Sequence, residues 1–547
     1  MANVKFPRKE VEKFIKLDAK NLDRIMMLGI PVESLTAEEI EIQVLPNRPD
    51  LLSMHGFLRA VRAFMGKEAG LKKYKVNSPE KNYSVKIDKS VKEVRPYTAC
   101  AIVKGLKFDD VKIKEIIDIQ EKLHITLGRN RKKLAIGIYP LEKIKLPIKY
   151  EARKPGDIKF TPLEMNEELT GLQILQRHPT GREYASLLEG KSVFPVFVDA
   201  DSKILSMPPI INSNETGKIT QETKDVFIEC SGFDLEILKK TLNILATALA
   251  DLGGNIYAME LEYDKPIGKI QTPNLTPEII KIDINNVNKL IGLELREKDL
   301  EKLLPKMGYD YSKGKVSVPV YRTDILHEVD IIEDIAIAYG YENIKPIIPK
   351  VATIGEEARE NRLHAKVSEI LEGLGLLEIS TYYLIKAEEA VIGKLAEHEK
   401  IELEDSKSEY KLLRPNLLIP GLRILSENKD NEYPQKIFEI GKVFIRDRRG
   451  ETETGIKEFN HLFIASTPGH FTEIKQTLDY LFKMLNLKCE LKEGHNHNLI
   501  EGRTGIISVN GNSIGVIGEV HPASLKDWGI KLPVAVIEIN LDLLMKS

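Results

Sequence analysis

Cysteine is scarce: Cys100, Cys230 and Cys489 are the only three in 547 residues. They lie far apart, without metal-ligand spacing, which argues against a disulfide framework and a zinc site. Long apolar runs are also missing. The longest, such as 242–249 with its polar interruptions, fall well short of the roughly 20 residues that cross a bilayer, and the N-terminus has no apolar signal-peptide core. A cytoplasmic chain with no membrane partner is expected. Charge of one sign is absent too: 80 Lys and Arg against 82 Asp and Glu leave a formal net charge of −2. A protein holding nucleic acid by phosphate neutralisation alone carries a basic excess, so any RNA bound here is expected to be held partly by a partner. No phosphate loop, Gly-x-Ser-x-Gly or His-Glu-x-x-His motif occurs. His495 and His497 have no further ligands near them in sequence and read as surface residues. Internal repeats and low-complexity tracts are lacking, which removes solenoids and disordered arms.

What is present is an ordinary soluble composition, 42% apolar and 30% charged, able to bury a core. The length exceeds the roughly 250–300 residues at which one core stops growing, so several domains are expected. Behind Pro46-Asn47-Arg48-Pro49, residues Leu51, Met54, Leu58, Val61 and Met65 recur at helical spacing. The Lys-rich, polar stretch 69–91 then marks a boundary. Between 96 and 263, strand-like runs at 99–103, 134–138, 193–198 and 226–229 alternate with helical patterns at 113–127 and 235–251. A Pro-rich linker at 265–277 opens a smaller unit that ends near 349, and the remainder mixes helices (363–374, 472–485) with strands (436–445, 504–509, 534–540). The fold class read from this is multidomain α+β: a small N-terminal α+β domain (1–80), an α+β domain (90–263), a small domain with an acidic helix (270–348) and an α+β domain at 357–547.

Two clusters could carry chemistry. Asp330, Glu333 and Asp334 fall at i, i+3 and i+4 of one predicted helix, with Asp324 just upstream. Such carboxylates supply the hard oxygen ligands that Mg²⁺ takes, or else form a solvated acidic face favoured by the helix dipole. The second is the loop from Leu205 to Gly217, which holds Ser206, Asn212, Ser213 and Thr216 around Pro208-Pro209. Its stiff backbone and polar side chains suit a small polar ligand, or a plain turn. Nearby, 226–232 alternates as a strand, which points Glu229 and Ser231 to one side.

Near the C-terminus, 413–422 and 437–444 resemble strands of class II aminoacyl-tRNA synthetases. The matching Phe438-Glu439 and Glu538 segments lack the arginines of a catalytic copy, so no charge clamps a nucleotide's phosphates there. This domain is expected to be a class II synthetase-like antiparallel sheet that does not activate amino acids.

Taken in order, Asn47-Arg48-Pro49-Asp50-Leu51, Arg95-Pro96-Tyr97, Gly128-Arg129-Asn130-Arg131, Pro208-Pro209-Ile210-Ile211-Asn212, the acidic helix ending in Ala338-Tyr339-Gly340-Tyr341, and Gly515-Val516-Ile517-Gly518-Glu519-Val520-His521-Pro522 resemble the phenylalanyl-tRNA synthetase β-subunit family, in its archaeal and eukaryotic form. The resemblance implies an (αβ)₂ heterotetramer whose α subunit attaches Phe to tRNA(Phe) using ATP, while the β subunit supplies docking surface and hydrolyses mischarged Tyr-tRNA(Phe). It further implies that Asp324, Asp330, Glu333 and Asp334 hold Mg²⁺ between subunits. In the domain at 90–263 it implies that Phe197 lines the substrate ring, that Ser206, Asn212, Ser213 and Thr216 hold the tRNA terminus or ester, and that Glu229 and Ser231 bond the tyrosyl hydroxyl. Archaeal members have Asp and Thr at the last two positions, so the chemistry is kept but the reach is altered. No histidine stands next to these hydroxyls in sequence, so hydrolysis by a bound water is expected rather than a covalent intermediate. The alternatives are a non-catalytic scaffold and tRNA-positioning subunit with a lapsed editing site and, more remotely, a stand-alone nucleic-acid-binding protein.

Overall fold

The computed structural model describes residues 2–546 and divides into two compact units, 1–348 and 349–547. In the first, the segments read from sequence as three domains share one hydrophobic core that runs from Ala2 to Ala338. A three-stranded antiparallel sheet, with Glu39–Val44 between Ala2–Pro7 and Val32–Leu35, opens the chain. The helix Met54–Phe64 follows; Ser53 caps it by accepting from the Gly56 N–H at 2.9 Å. Gly56 has no alternative, because a Cβ there would lie 1.9 Å from the Asp50 carbonyl oxygen.

The centre of this unit is an eleven-stranded sheet. From one end its order is Ile211–Asn212, Ile204–Met207, Phe194–Val198, Ile148–Arg153, Ser84–Ile87, Asn255–Glu262, Tyr97–Lys104, Val226–Gly232 and Leu134–Pro140; Val76–Asn77 and Lys269–Thr272 also pair with Asn255–Glu262. The strand Val226–Gly232 shows why alternation matters. Val226, Ile228 and Cys230 pack with Leu238, Leu242 and Leu245 of the helix Leu235–Asp251. Phe227 faces the other way, among Tyr139, Tyr150 and Phe197, and Glu229 and Ser231 share its side of the strand.

A smaller antiparallel sheet (Glu278–Lys281, Lys315–Val318, Asp310–Ser312) with the helices Ile284–Ile291, Glu297–Leu303 and Glu328–Tyr339 completes the first unit. The second unit is built on a seven-stranded sheet in the order Leu377–Glu378, Gln435–Arg446, Ile456–Thr467, Ala535–Asn540, Asn512–Val520, Leu499–Val509 and Glu490–Glu493, antiparallel except for its first pair. Arg359–Gly373 and Phe471–Met484 supply one of its cores and Leu418–Glu427 another. The stretch 413–422, expected as a strand, changes element midway. It leaves the strand Tyr410–Leu413 and turns into that helix, where the Leu417 and Leu418 N–H groups donate to the Glu538 carboxylate at 2.9 and 3.1 Å. No helix among the described residues is long and apolar enough to cross a membrane.

Candidate functional site

The strand Leu134–Pro140 and the hairpin carrying Ser206 and Asn212 stand at opposite ends of the large sheet. Side chains bridge them. The Tyr139 hydroxyl lies 2.7 Å from Ser206 Oγ, 3.3 Å from Asn212 Oδ1 and 3.2 Å from Glu229 Oε1. Beside this bridge is a cavity of about 100 Å³ between the helix Asp110–Ile125, the strand Leu134–Pro140 and the Pro208–Asn212 turn, with Glu229 in its wall.

Glu229 is 1% exposed, and among the described residues its Oε2 has no hydrogen-bond partner. Burial raises its pKa from 4.5 to about 8, against the downward pull of Arg95 and of the Tyr139 and Ser231 hydroxyls. The pocket therefore holds a neutral acid at pH 7, poised to ionise. Burial and the neighbouring Glu229 push the Tyr139 phenol well above its ordinary range, so that group stays a protonated donor.

The turn is held from outside. Arg131 Nη1 donates to the Pro209 and Ile210 carbonyls at 3.2 and 2.7 Å, and Arg131 Nη2 pairs with Glu121 at 3.0 Å. His124 also lines the cavity, but neither ring nitrogen is free. Its Nε2 accepts from the Ile136 N–H at 2.8 Å, which leaves Nδ1 protonated toward Glu121 at 3.2 Å. Burial lowers its basicity further.

Of the residues expected here, Asn212 and Glu229 reach the cavity. Ser206 stands one hydrogen bond behind them, through Tyr139. Ser231 is held by Arg95, whose Nε lies 3.3 Å from its Oγ and whose Nη2 donates to its carbonyl at 2.8 Å. Ser213 and Thr216 serve the turn itself: Ser213 Oγ accepts from the Glu215 N–H at 3.3 Å, and the Thr216 hydroxyl donates to the Leu205 carbonyl at 3.4 Å. Phe197, expected along a substrate ring, is stacked on Tyr150 at 4.3 Å between centroids and lies in the core instead. The apolar wall comes from Ile136, Leu163 and Ile211. Sequence reasoning misses Tyr139, His124 and Arg131 as site residues. The Gly128-Arg129-Asn130-Arg131 run stands there as a family signature without a role, and nothing local marks Tyr139.

The four carboxylates expected to hold Mg²⁺ do not converge. Asp324 takes the Arg322 Nε and Nη2 at 2.9 and 2.8 Å, and Asp334 takes the same Nη2 at 2.8 Å together with the Tyr309 hydroxyl. Asp330 accepts the Leu326 and His327 N–H groups at 2.7 and 2.8 Å, as a helix cap does, and Glu333 points to solvent. No group of three metal-binding side chains forms among the described residues. As placed, these donors do not fit a bound cation, because a guanidinium already occupies the position between two of them.

In the second unit, no arginine adjoins Glu439 or Glu538 along its own strand, yet a buried arginine arrives from beside them. Arg414 donates to Glu439 at 2.7 Å, to the Thr381 hydroxyl at 2.6 Å and to the Lys442 carbonyl at 2.7 Å. On the strand Ala535–Asn540, Glu538 meets His461 Nδ1 at 2.8 Å. Arg414 thus compensates the Glu439 charge, while Glu538 is met by His461 and by the Leu417 and Leu418 N–H groups.

Three family descriptions match successive parts of the chain: the B3/4 domain at residues 81–247, the tRNA synthetase B5 domain at 280–341, and the phenylalanyl tRNA synthetase beta chain CLM domain at 344–541. Proteins named phenylalanine–tRNA ligase beta subunit are similar over most of their length. That of Thermococcus kodakarensis is 39% identical over 517 residues, covering 90% of this chain and 89% of the relative; that of Archaeoglobus fulgidus is 37% identical over 548 residues, covering 97% and 96%. The crystal structure of an N-terminal fragment of the Pyrococcus horikoshii phenylalanyl-tRNA synthetase beta subunit superposes with a TM-score of 0.59 at 37% identity, over 62% of this chain and 99% of the fragment. By sequence, domain order and fold, the chain belongs to the phenylalanine–tRNA ligase β-subunit family.

Proposed function

We propose that this chain is the scaffold and proofreading subunit of an (αβ)₂ phenylalanine–tRNA ligase, and that its cavity hydrolyses Tyr-tRNA(Phe). Aminoacylation from ATP, Phe and tRNA(Phe) then belongs to the α subunit. The observation that carries the reading is the unpartnered Oε2 of buried Glu229 in the cavity wall. A tyrosyl hydroxyl satisfies that oxygen, whereas a phenylalanyl ring leaves it bare at a cost of about 1–3 kcal/mol. A second sieve of this kind is what the chemistry requires, since an apolar synthetic pocket rejects an added hydroxyl by only about 10²-fold.

The reaction is water attack on the ester carbonyl carbon. The bond to the terminal ribose oxygen breaks, one water proton goes to that oxygen to restore the tRNA hydroxyl, the other passes to solvent, and tyrosine leaves as its carboxylate. The protein's part is to bind and orient: Glu229 reads the ring hydroxyl, and the Arg131-held turn offers backbone and Asn212 to the ester end. Ser206, Ser213 and Thr216 are committed to internal hydrogen bonds, which supports water rather than a hydroxyl as nucleophile. No magnesium-dependent step is assigned to this chain, because Arg322 already neutralises two of the four carboxylates.

One observation favours the scaffold alternative. A ring needs a cavity of about 150 Å³, and this one offers about 100 Å³, so the turn must yield for a substrate to enter. The test is hydrolysis of Tyr-tRNA(Phe) against Phe-tRNA(Phe) by the reconstituted α and β subunits, with Glu229→Ala as control. Selective loss of the tyrosyl ester that weakens in the variant supports proofreading; equal, slow decay of both leaves a scaffold.

A further inference from the structure

We infer that Tyr139 is a specificity-determining residue of this site: its phenol occupies Oε1 of Glu229, so that Oε2 alone faces the incoming substrate. This rests on the proofreading reading above and deepens it.

Three observations carry the inference. Tyr139 reaches Ser206, Asn212 and Glu229 at once, within 2.7–3.3 Å, although its hydroxyl has one proton to give. The proton serves one oxygen at a time, the nearest being Ser206 Oγ at 2.7 Å, and the phenol stays within hydrogen-bond reach of Glu229 Oε1 at 3.2 Å. The carboxyl group is then held by one oxygen and bare at the other, which is fully buried. A carboxyl free to turn would satisfy itself on whatever partner came near; one pinned by Tyr139 presents a single oxygen in a fixed direction, a donor to a tyrosyl hydroxyl when the acid is neutral and an acceptor when it is ionised, the condition for reading one hydroxyl. Finally, the neighbouring strand makes room for the pair. Gly137 stands opposite Glu229 in the ladder, and a Cβ on it would lie 2.2 Å from the Tyr139 hydroxyl and 2.6 Å from Glu229 Oε1.

The groups around Glu229 define what else could set its charge. Arg95 attracts the ionised form, while Cys100 and Cys230 on neighbouring strand positions are buried thiols. Ser231 lies on the same strand face, and His124, Glu121 and Arg131 stand across the cavity. Tyr139, hydrogen-bonded to Glu229 Oε1 at 3.2 Å, and Ser231 both favour its ionised form.

The test is Tyr139→Phe in the reconstituted αβ complex, with hydrolysis of Tyr-tRNA(Phe) and Phe-tRNA(Phe) followed from pH 6 to 9. The variant removes one oxygen and conserves the packing volume, and its melting point checks the fold. Expected is a roughly tenfold fall in the tyrosyl-to-phenylalanyl ratio, the effect of one hydrogen bond. The midpoint of the Tyr-tRNA profile should also rise, because the Tyr139 bond favours ionised Glu229; a packing role alone would not move it. Ser206→Ala, which frees the phenol from its nearest anchor, should shift both readouts in the same direction and serves if Tyr139→Phe does not fold. Wild-type selectivity with unchanged ratio and midpoint in both variants would overturn this inference and leave proofreading standing. A wild type that does not discriminate would overturn both.

Discussion

Arg322 Nη2 lies 2.8 Å from the Asp334 carboxylate, with the two side chains 3% and 8% exposed. The same guanidinium holds Asp324. Two carboxylates that sequence spacing offers to a metal are therefore neutralised from within, by a residue two positions from one of them.

Removing this counter-ion should be costly. Arg322→Ala removes the ion-pair partner of buried Asp334 and of half-buried Asp324, and a loss of about 3–5 kcal/mol is expected. Urea unfolding of the full chain measures it; a loss below about 1 kcal/mol would mean the pair is already solvated.

The lone β chain should bind divalent cations weakly. With Asp334 and Asp324 taken and Asp330 capping its helix, Glu333 is the one freely exposed carboxylate of the four. Titration with Mn²⁺ followed by its electron paramagnetic resonance signal should show no site tighter than about millimolar, the range of loose carboxylate sites. A micromolar site in the isolated chain would contradict the placement of Arg322.

Glu229 should make stability depend on pH. Its pKa rises from 4.5 to about 8 on folding, so below pH 4.5 both folded and unfolded forms are protonated and burial of the acid carries no ionisation cost. Between pH 4.5 and 8 the unfolded chain ionises first, and stability falls as pH rises, by a few kcal/mol in total. Glu229→Gln should flatten that slope. Urea midpoints at several pH values from 5 to 8.5 decide it, and parallel curves for the two proteins would show that Glu229 ionises freely in the fold.

Arg131→Ala should loosen the Pro208–Asn212 turn, since two carbonyl contacts and the Glu121 pair are lost together. Amide exchange at Ser213 and Gly217, whose N–H groups donate to the Leu205 and Ser213 carbonyls, is expected to quicken about tenfold. Unchanged exchange would mean the turn is held by its own bonds.

In the second unit, Glu439→Ala strands Arg414, a side chain 1% exposed. A loss of about 3–5 kcal/mol in unfolding is expected. Recovery in Arg414→Met/Glu439→Leu would show that the pair is replaceable by packing; a stable single variant would show that Arg414 finds other acceptors.

Much of the architecture was legible in local pattern. The apolar spacing of 235–251 coincides with the helix Leu235–Asp251, and alternation in 226–232 put Glu229 and Ser231 on one side, opposite the face that packs against that helix. These features depend on neighbours one to four residues away, which is the range over which periodicity carries information. The acidic helix was equally legible as Glu328–Tyr339, but the partners of its carboxylates were not. Spacing says which side chains share a helix face; it does not say that Arg322 folds back between two of them.

What the sequence by itself determined is therefore the family, the α+β elements and the one buried carboxyl on which the proposed reading turns. The tertiary structure decided the rest of the site. Tyr139 meets Ser206 from 67 positions away because the two ends of a long sheet come together through side chains, and it meets Glu229 from 90 positions away because their strands pair in the ladder. Phe197 lost its expected place to strand pairing: its register partner in the neighbouring strand is Tyr150, on which it stacks in the core. Contacts of this kind follow from sheet order and closure, which no local period encodes.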